Sequence, residues 1–364
     1  MRAWRIGAVL ALAGLSALAG GCASAPATAP DAAALLARQE LAHPFTLDEA
    51  SIAYFSLRVP RGGDAPRRVQ ALVDALLGKP DGLGLTYRHD RTLTADEAFR
   101  LREGNCVSFV NLFVAASRAL GLPAVFLEVE DYQAFRKEQG FVVNSTHVVA
   151  GSLQGPRVQT VDFLPGKSSG TARFHALSDV RAAALYHNNK AVELLLEGRL
   201  AEARALLERV VLLEPDYARA WNSLGVCLGR AGDAGGAVAA FERAVRAEPA
   251  FEPAHENLAA AYERAGEPAR ARAARETVHR LRSENPYYLT WEGDQALRDR
   301  RLPDAETLYR QALRREPRLA DPHVGLARVA LARGDRRVLE AELRKALALD
   351  PEHAEAVQLM SGGR

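Results

Sequence analysis

Residues 102–124 read REGNCVSFVNLFVAASRALGLPA. From Cys106 to Ala119 the run is apolar and free of helix breakers, Asn105 is placed to cap it, and Gly121 and Pro123 stop it. Just upstream, Thr94 with Glu97 three residues on marks the start of a shorter helix reaching Arg102. Cys106 therefore opens a helix of about fourteen residues, on the face that carries Phe109, Val110, Phe113 and Ser117. Its sulfur points inward at a helix N-terminus, where unpaired N–H groups and the positive end of the dipole favour a thiolate and would stabilise an oxyanion. Taken alone, the feature also fits a buried cysteine beside a cap.

The residues on either side add to the reading. Upstream, 35–41 and 47–57 form short helical segments and 67–77 an amphipathic helix. Downstream, Val125 to Val129 is a strand, Glu130 to Gln139 a polar segment, and two runs rich in β-branched residues, 141–151 and 157–163, flank Gly155-Pro156 as a hairpin. With the turn centred between Gln154 and Gly155, His147 and Asp162 face each other across the ladder; a slip of one residue separates them. A thiol at a helix start, a histidine on a strand and a carboxylate on the next strand are the parts of a Cys-His-Asp triad. Singly, His147 also reads as a strand histidine bonded to a carbonyl, and Asp162 as an acid capping the turn after it. His89, His175 and His187 read as surface or structural.

The order of these three residues, and the segment from Gly104-Asn105-Cys106 to Arg118-Ala119-Leu120-Gly121-Leu122-Pro123-Ala124, resemble the transglutaminase-like superfamily of papain-related folds. The resemblance covers roughly residues 67–165. It implies an α+β domain in which Cys106 attacks an amide carbonyl, His147 moves the proton and Asp162 orients the imidazole. Val148 to Gly151 depart from the aromatic and acidic residues that often follow the histidine in that family.

The second half repeats every 34 residues. Ala191, Gly225, Ala259, Gly293 and Ala327 form one small column, and Ala203, Ala237, Ala271 and Ala305 another. Leu207, Phe241, Tyr309 and Leu343 form a bulky column, while Pro215, Pro249, Pro317 and Pro351 end four of five units. Small residues let antiparallel helices approach, bulky ones fill the gap, and proline ends the second helix. The period and the residues Trp221, Leu224, Gly225, Ala237, Phe241, Ala244 and Pro249 resemble the tetratricopeptide repeat, an all-α solenoid. The resemblance implies a peptide or protein partner in a groove lined by the first helices. Asn188, Arg219, Asn222, Arg230 and Glu256 are the candidates there, and solvated helix positions are their plainer reading. Cys227, within an apolar run, reads as core.

Arg2 and Arg5 followed by an apolar run from Ile6 to Leu18 form an export signal too short to span a bilayer. Cys22 after Ala19-Gly20-Gly21 resembles a bacterial lipobox, which implies lipid attachment there. With Ala23 and Ser24 next, it also implies an outer-membrane lipoprotein facing the periplasm. Cleavage after Ala23-Ser24-Ala25, giving a soluble periplasmic protein, is the alternative. The chain thus divides into a signal (1–21), a tether (22–32), a transglutaminase-like domain (33–183), five tetratricopeptide units (184–353) and a tail (354–364). With 47 Lys and Arg against 45 Asp and Glu over 364 residues, no field draws nucleic acid to the whole surface. Three cysteines without metal-ligand spacing imply neither a disulfide framework nor a metal, and no cofactor is expected. The expected function is acyl transfer on amides by a cysteine nucleophile, as a peptidase or amidase more than a transamidase. The alternative is a non-catalytic scaffold whose repeats bind a partner.

Overall fold

The structure, a computed structural model, describes residues 9–14, 32–78, 81–138, 141–154, 157–163, 173–351 and 353–362. In chain order the first elements are strand β1 (Val9–Gly14) and helices α1 (Ala32–Arg38), α2 (Glu49–Arg58) and α3 (Ala65–Leu77). Asp48 and Asp64 cap α2 and α3 by accepting the N–H groups of Ser51 and Arg67. Helix α3 buries Val69, Leu72, Val73 and Leu76, the spacing of a single helix face. The two-residue strands β2 (Thr86–Tyr87) and β3 (Glu103–Gly104) pair in parallel around α4 (Ala95–Leu101) and lead into α5 (Cys106–Ala119). The Thr94–Glu97 capping box expected from sequence is present at α4.

Four further strands, β4 (Ala124–Glu138), β5 (Phe141–Gln154), β6 (Arg157–Asp162) and β7 (Phe174–Leu177), complete a five-stranded sheet in the order β1-β6-β5-β4-β7. Two sequence expectations change here. The polar stretch after Val129 continues as strand to Glu138, because pairing with the neighbouring strand satisfies the backbone whatever the side chains are. The β5–β6 register sets Gln154 opposite Arg157 and Ala150 opposite Val161, two residues from the register assumed above. Asp162 thus falls opposite Val149, diagonal to His147.

Helix α6 (Asp179–Leu196) begins five residues before the first unit read from the repeat phase, capped by Ser178. It pairs with α7 (Leu200–Leu213), and α8 (Ala218–Arg230) pairs with α9 (Ala234–Ala247); α10 (Glu252–Arg264) packs on α9 and is followed by α11 (Pro268–Glu284). Next come α12 (Pro286–Arg298) with α13 (Leu302–Arg315), and α14 (Asp321–Arg333) with α15 (Arg336–Leu349). This C-terminal region is a helical repeat solenoid. The stretch expected as a tail forms α16 (Ala354–Gly362), whose Ala356 is fully buried in the core of the last hairpin.

The columns act as their sizes require. A Cβ on Gly225 would stand 2.5 Å from the Phe241 ring, and one on Gly293 2.7 Å from the Tyr309 ring, so these glycines are where an aromatic ring lies on a neighbouring helix backbone. Two units divide the chain, with the boundary inside α11. The first holds the described residues up to Ala271 apart from the far half of the β4–β5 hairpin, Glu130–Thr146. One core runs through it, from Leu36, Phe55 and Leu72 through Phe109, Leu112 and Phe113 to Ala184, Leu207, Leu224 and Phe241. The second, built chiefly of Arg272–Arg364, has cores around Tyr309 and around Leu343.

Cys22 and most of the expected signal lie outside the described residues. Val9–Gly14, inside the expected apolar run, pairs antiparallel with β6, Val9 opposite Asp162. Among the described residues no helix is long and apolar enough to cross a membrane.

Candidate active site

Cys106 is the first residue of α5, and its position is over-determined. Asn105 Oδ1 accepts the Ser108 N–H at 3.1 Å, and the Ser108 hydroxyl faces the Asn105 N–H, a reciprocal cap. Asn105 N–H also donates to the Arg91 carbonyl, and its Nδ2 donates to Thr92 Oγ1 at 2.8 Å. Gly104 approaches at φ +149°, where a Cβ would lie 2.5 Å from the Ser108 Cβ, so glycine is required by both backbone and space. The amides of Cys106 and Val107 stand in this first turn, where helix geometry supplies no carbonyl four residues back. Cys106 is half-buried, Cys227 is buried, and both are free thiols.

His147 and Asp162 come from β5 and β6 and are both 2 % exposed. His147 Nε2 lies 2.7 Å from Asp162 Oδ1 despite the diagonal register, within the reach of neighbours two residues apart across a ladder. Phe163, next to Asp162, packs edge-on against Phe109 and Phe113 of α5, with ring centroids 5.9 and 6.0 Å apart, so the end of β6 is fixed against the helix that carries the thiol. Burial favours the neutral imidazole, but hydrogen bonds to Asp162 and Cys106, and the charges of both, outweigh it and raise the His147 pKa to about 9. With Nε2 engaged by Asp162, Nδ1 is the nitrogen left to the thiol. The arrangement can take a proton from sulfur and hold it as an imidazolium beside a carboxylate.

Structure brings together the three residues from the helix and the hairpin. The five groove candidates are placed differently. Arg219 pairs with Glu128 of β4 at 3.0 Å, and Arg230 donates to the Leu195 carbonyl at 3.1 Å. Asn222 accepts from Asn257 at 2.9 Å; Glu256 is half-buried. Asn188 is 6 % exposed, and its Oδ1 is without a hydrogen-bond partner among the described residues. Both arginines are therefore engaged within the chain, an outcome that helix-face spacing alone does not reveal. Cys227 donates to the Leu200 carbonyl at 3.3 Å, and burial pushes its pKa up. His187 is bonded to the Ala42 carbonyl and held by burial below the ordinary histidine range.

Sequence reasoning missed Thr92 and Ser108. The Asn105–Ser108 spacing was a visible signal for the second; nothing local marks Thr92. Among the described residues no group of three metal-ligating side chains occurs.

Residues 61–151 match the family model of the transglutaminase-like superfamily, and residues 188–250 that of the tetratricopeptide repeat. No curated protein matches the chain. Among solved structures it is similar to YrrB, described as a TPR protein with an unusual peptide-binding site: 19% identity, 49% of this chain, 92% of that one, TM-score 0.27. It is also similar to PilF of Pseudomonas aeruginosa, at 20% identity, 50% and 87% coverage and TM-score 0.28. MamA of Desulfovibrio magneticus RS-1 shares 18% identity, with 47% and 97% coverage and TM-score 0.26.

Proposed function

We propose that a transglutaminase-like domain joined to tetratricopeptide repeats makes this chain a cysteine-nucleophile amidase or peptidase, with Cys106, His147 and Asp162 as its catalytic triad. The observation that carries this reading is the thiol–imidazole–carboxylate line: a half-buried cysteine at the start of α5, close enough to a buried imidazole to influence its protonation, with that ring 2.7 Å from a buried carboxylate.

In the first half-reaction the Cys106 sulfur, its proton already held by His147, attacks the carbonyl carbon of an amide. The amides of Cys106 and Val107 face the developing oxyanion. The C–N bond then breaks, His147 returns the proton to the departing amine, and a thioester remains. Water attacks that thioester, giving a proton to His147; the C–S bond breaks, the acid leaves and the thiol is restored. Asp162 holds the ring throughout. Hydrolysis is preferred to transfer onto an amine because neither an amine-binding acid nor a calcium loop was found in the sequence.

Tetratricopeptide repeats generally bind peptides or proteins, and here they would hold a partner or substrate protein for the cysteine domain. Export and lipid attachment at Cys22 would place the chain at the outer membrane, facing periplasmic peptide and peptidoglycan amides. Removal of the signal would also take β1 from β6 and leave β6 as the sheet edge.

The test is acyl-enzyme trapping: peptide amides and activated esters are incubated with the protein and intact mass is followed with and without a primary amine. An adduct confined to Cys106 that discharges to the free acid, with the amine making no product, is expected. Turnover that persists in Cys106→Ala would overturn the reading. A fully inert protein whose repeats still capture a partner would favour the scaffold.

A further inference from the structure

The first repeat helix reaches the loop that holds the nucleophile. Residues 91–93 form a strap across the start of α5. The Arg91 carbonyl accepts the Asn105 N–H, Thr92 Oγ1 accepts Asn105 Nδ2, the Leu93 N–H donates to Ser108 Oγ, and the Leu93 carbonyl accepts Asn111 Nδ2. One polar group of this strap turns the other way. The Thr92 N–H donates to Glu193 Oε1 at 2.6 Å, a bond to a side chain 101 positions later on α6. Lys190 holds the other oxygen, Oε2, at 2.8 Å and fixes the carboxylate. Thr92 is 1 % exposed and Asn105 8 %, so water does not readily replace either bond.

We propose that Glu193, supplied by the repeat array, is a positioning residue for Cys106: it sets the Thr92 strap, which orients the Asn105 cap and thereby the first turn of α5. The proposal rests on Cys106 being the nucleophile of the proposed function. It makes the first repeat part of the catalytic framework rather than a tethered binding module. A charged acceptor gives a stronger bond than a neutral one, so glutamine should hold the strap in part and alanine not at all.

The experiment compares Glu193→Ala, Glu193→Gln and Asp179→Asn in the full chain. The last disrupts the bidentate Arg118–Asp179 pair, which also joins α5 to α6 but does not touch the strap. The readouts are the pH profile of Cys106 alkylation by iodoacetamide, hydrogen exchange in the first turn of α5, and the melting temperature. Glu193→Ala is expected to slow Cys106 alkylation at neutral pH by about tenfold, through a smaller reactive thiolate fraction. Its profile should shift towards that of an ordinary thiol, with faster exchange over 105–109; Glu193→Gln should recover part of the loss, and Asp179→Asn should keep the wild-type profile. An unchanged profile in Glu193→Ala, or equal slowing by Asp179→Asn at matched melting temperature, overturns the proposal. Failure of the underlying reading looks different: the wild-type thiol itself titrates as an ordinary cysteine, whatever stands at 193.

Discussion

His147 concentrates the electrostatics of the site. Its pKa rises from an ordinary 6.5 to about 9, so its charged form is the one the fold stabilises. A raised folded-state pKa gives stability that is fully present below about 6.5 and is lost as pH climbs through about 9. The melting-temperature gap between wild type and His147→Gln should therefore be widest near pH 6 and narrow steadily towards pH 9, as thermal melts across that range would show. At the helix start, Asn105→Ala removes a cap and leaves Thr92 and Ser108 with altered partners, an expected loss of about 1–2 kcal/mol in denaturant unfolding. Gly104→Ala should be worse, since the new methyl meets Ser108 at a backbone angle disfavoured for L-residues. The helix start at Cys106, the Asn105 cap and the strand positions of His147 and Asp162 were legible in the sequence, because each lies in a local pattern of helix start or alternating strand. Thr92 and Glu193 were not, because their bonds, across 13 and 101 positions, belong to no local pattern.

At the level of elements, the repeats were the easiest to read, since size columns at a fixed period state directly which side chains meet. Gly225→Val should clash with Phe241 and cost about 1–3 kcal/mol, the usual range for overpacking. Adding Phe241→Leu should recover part of that loss, and a thermal-melt double-mutant cycle measures the coupling. The sheet was harder. Alternation identified β5 and β6 and their neighbourhood, but the turn residues did not fix the register, and the observed pairing sets His147 diagonal to Asp162 rather than opposite it. The far part of β4 was invisible because its sequence is polar and lacks the β-branched alternation that marks β5 and β6, and α16 because it lies beyond the last full period.

For the molecule as a whole, the repeat phase places a boundary near residue 184, whereas α6 runs through that point and its Ala182 and Leu185 line a small void with Val107, Val110, Phe126 and Val148. Packing continuity of this kind has no local sequence signal. A chain ending at Ser178 should lose the cover over α5 and melt without a cooperative transition, whereas one ending at Ala271 should give a single calorimetric transition. The most direct test of the central claim is the pH dependence of Cys106 alkylation, read by intact mass in a chain lacking residues 1–30, beside His147→Ala and with Cys227 as the internal control. A thiol that reacts well below the free-cysteine pKa of about 8.5, and loses that on removal of His147, is the expected result. An accessible Cys106 that titrates near 8.5 in both proteins would contradict it.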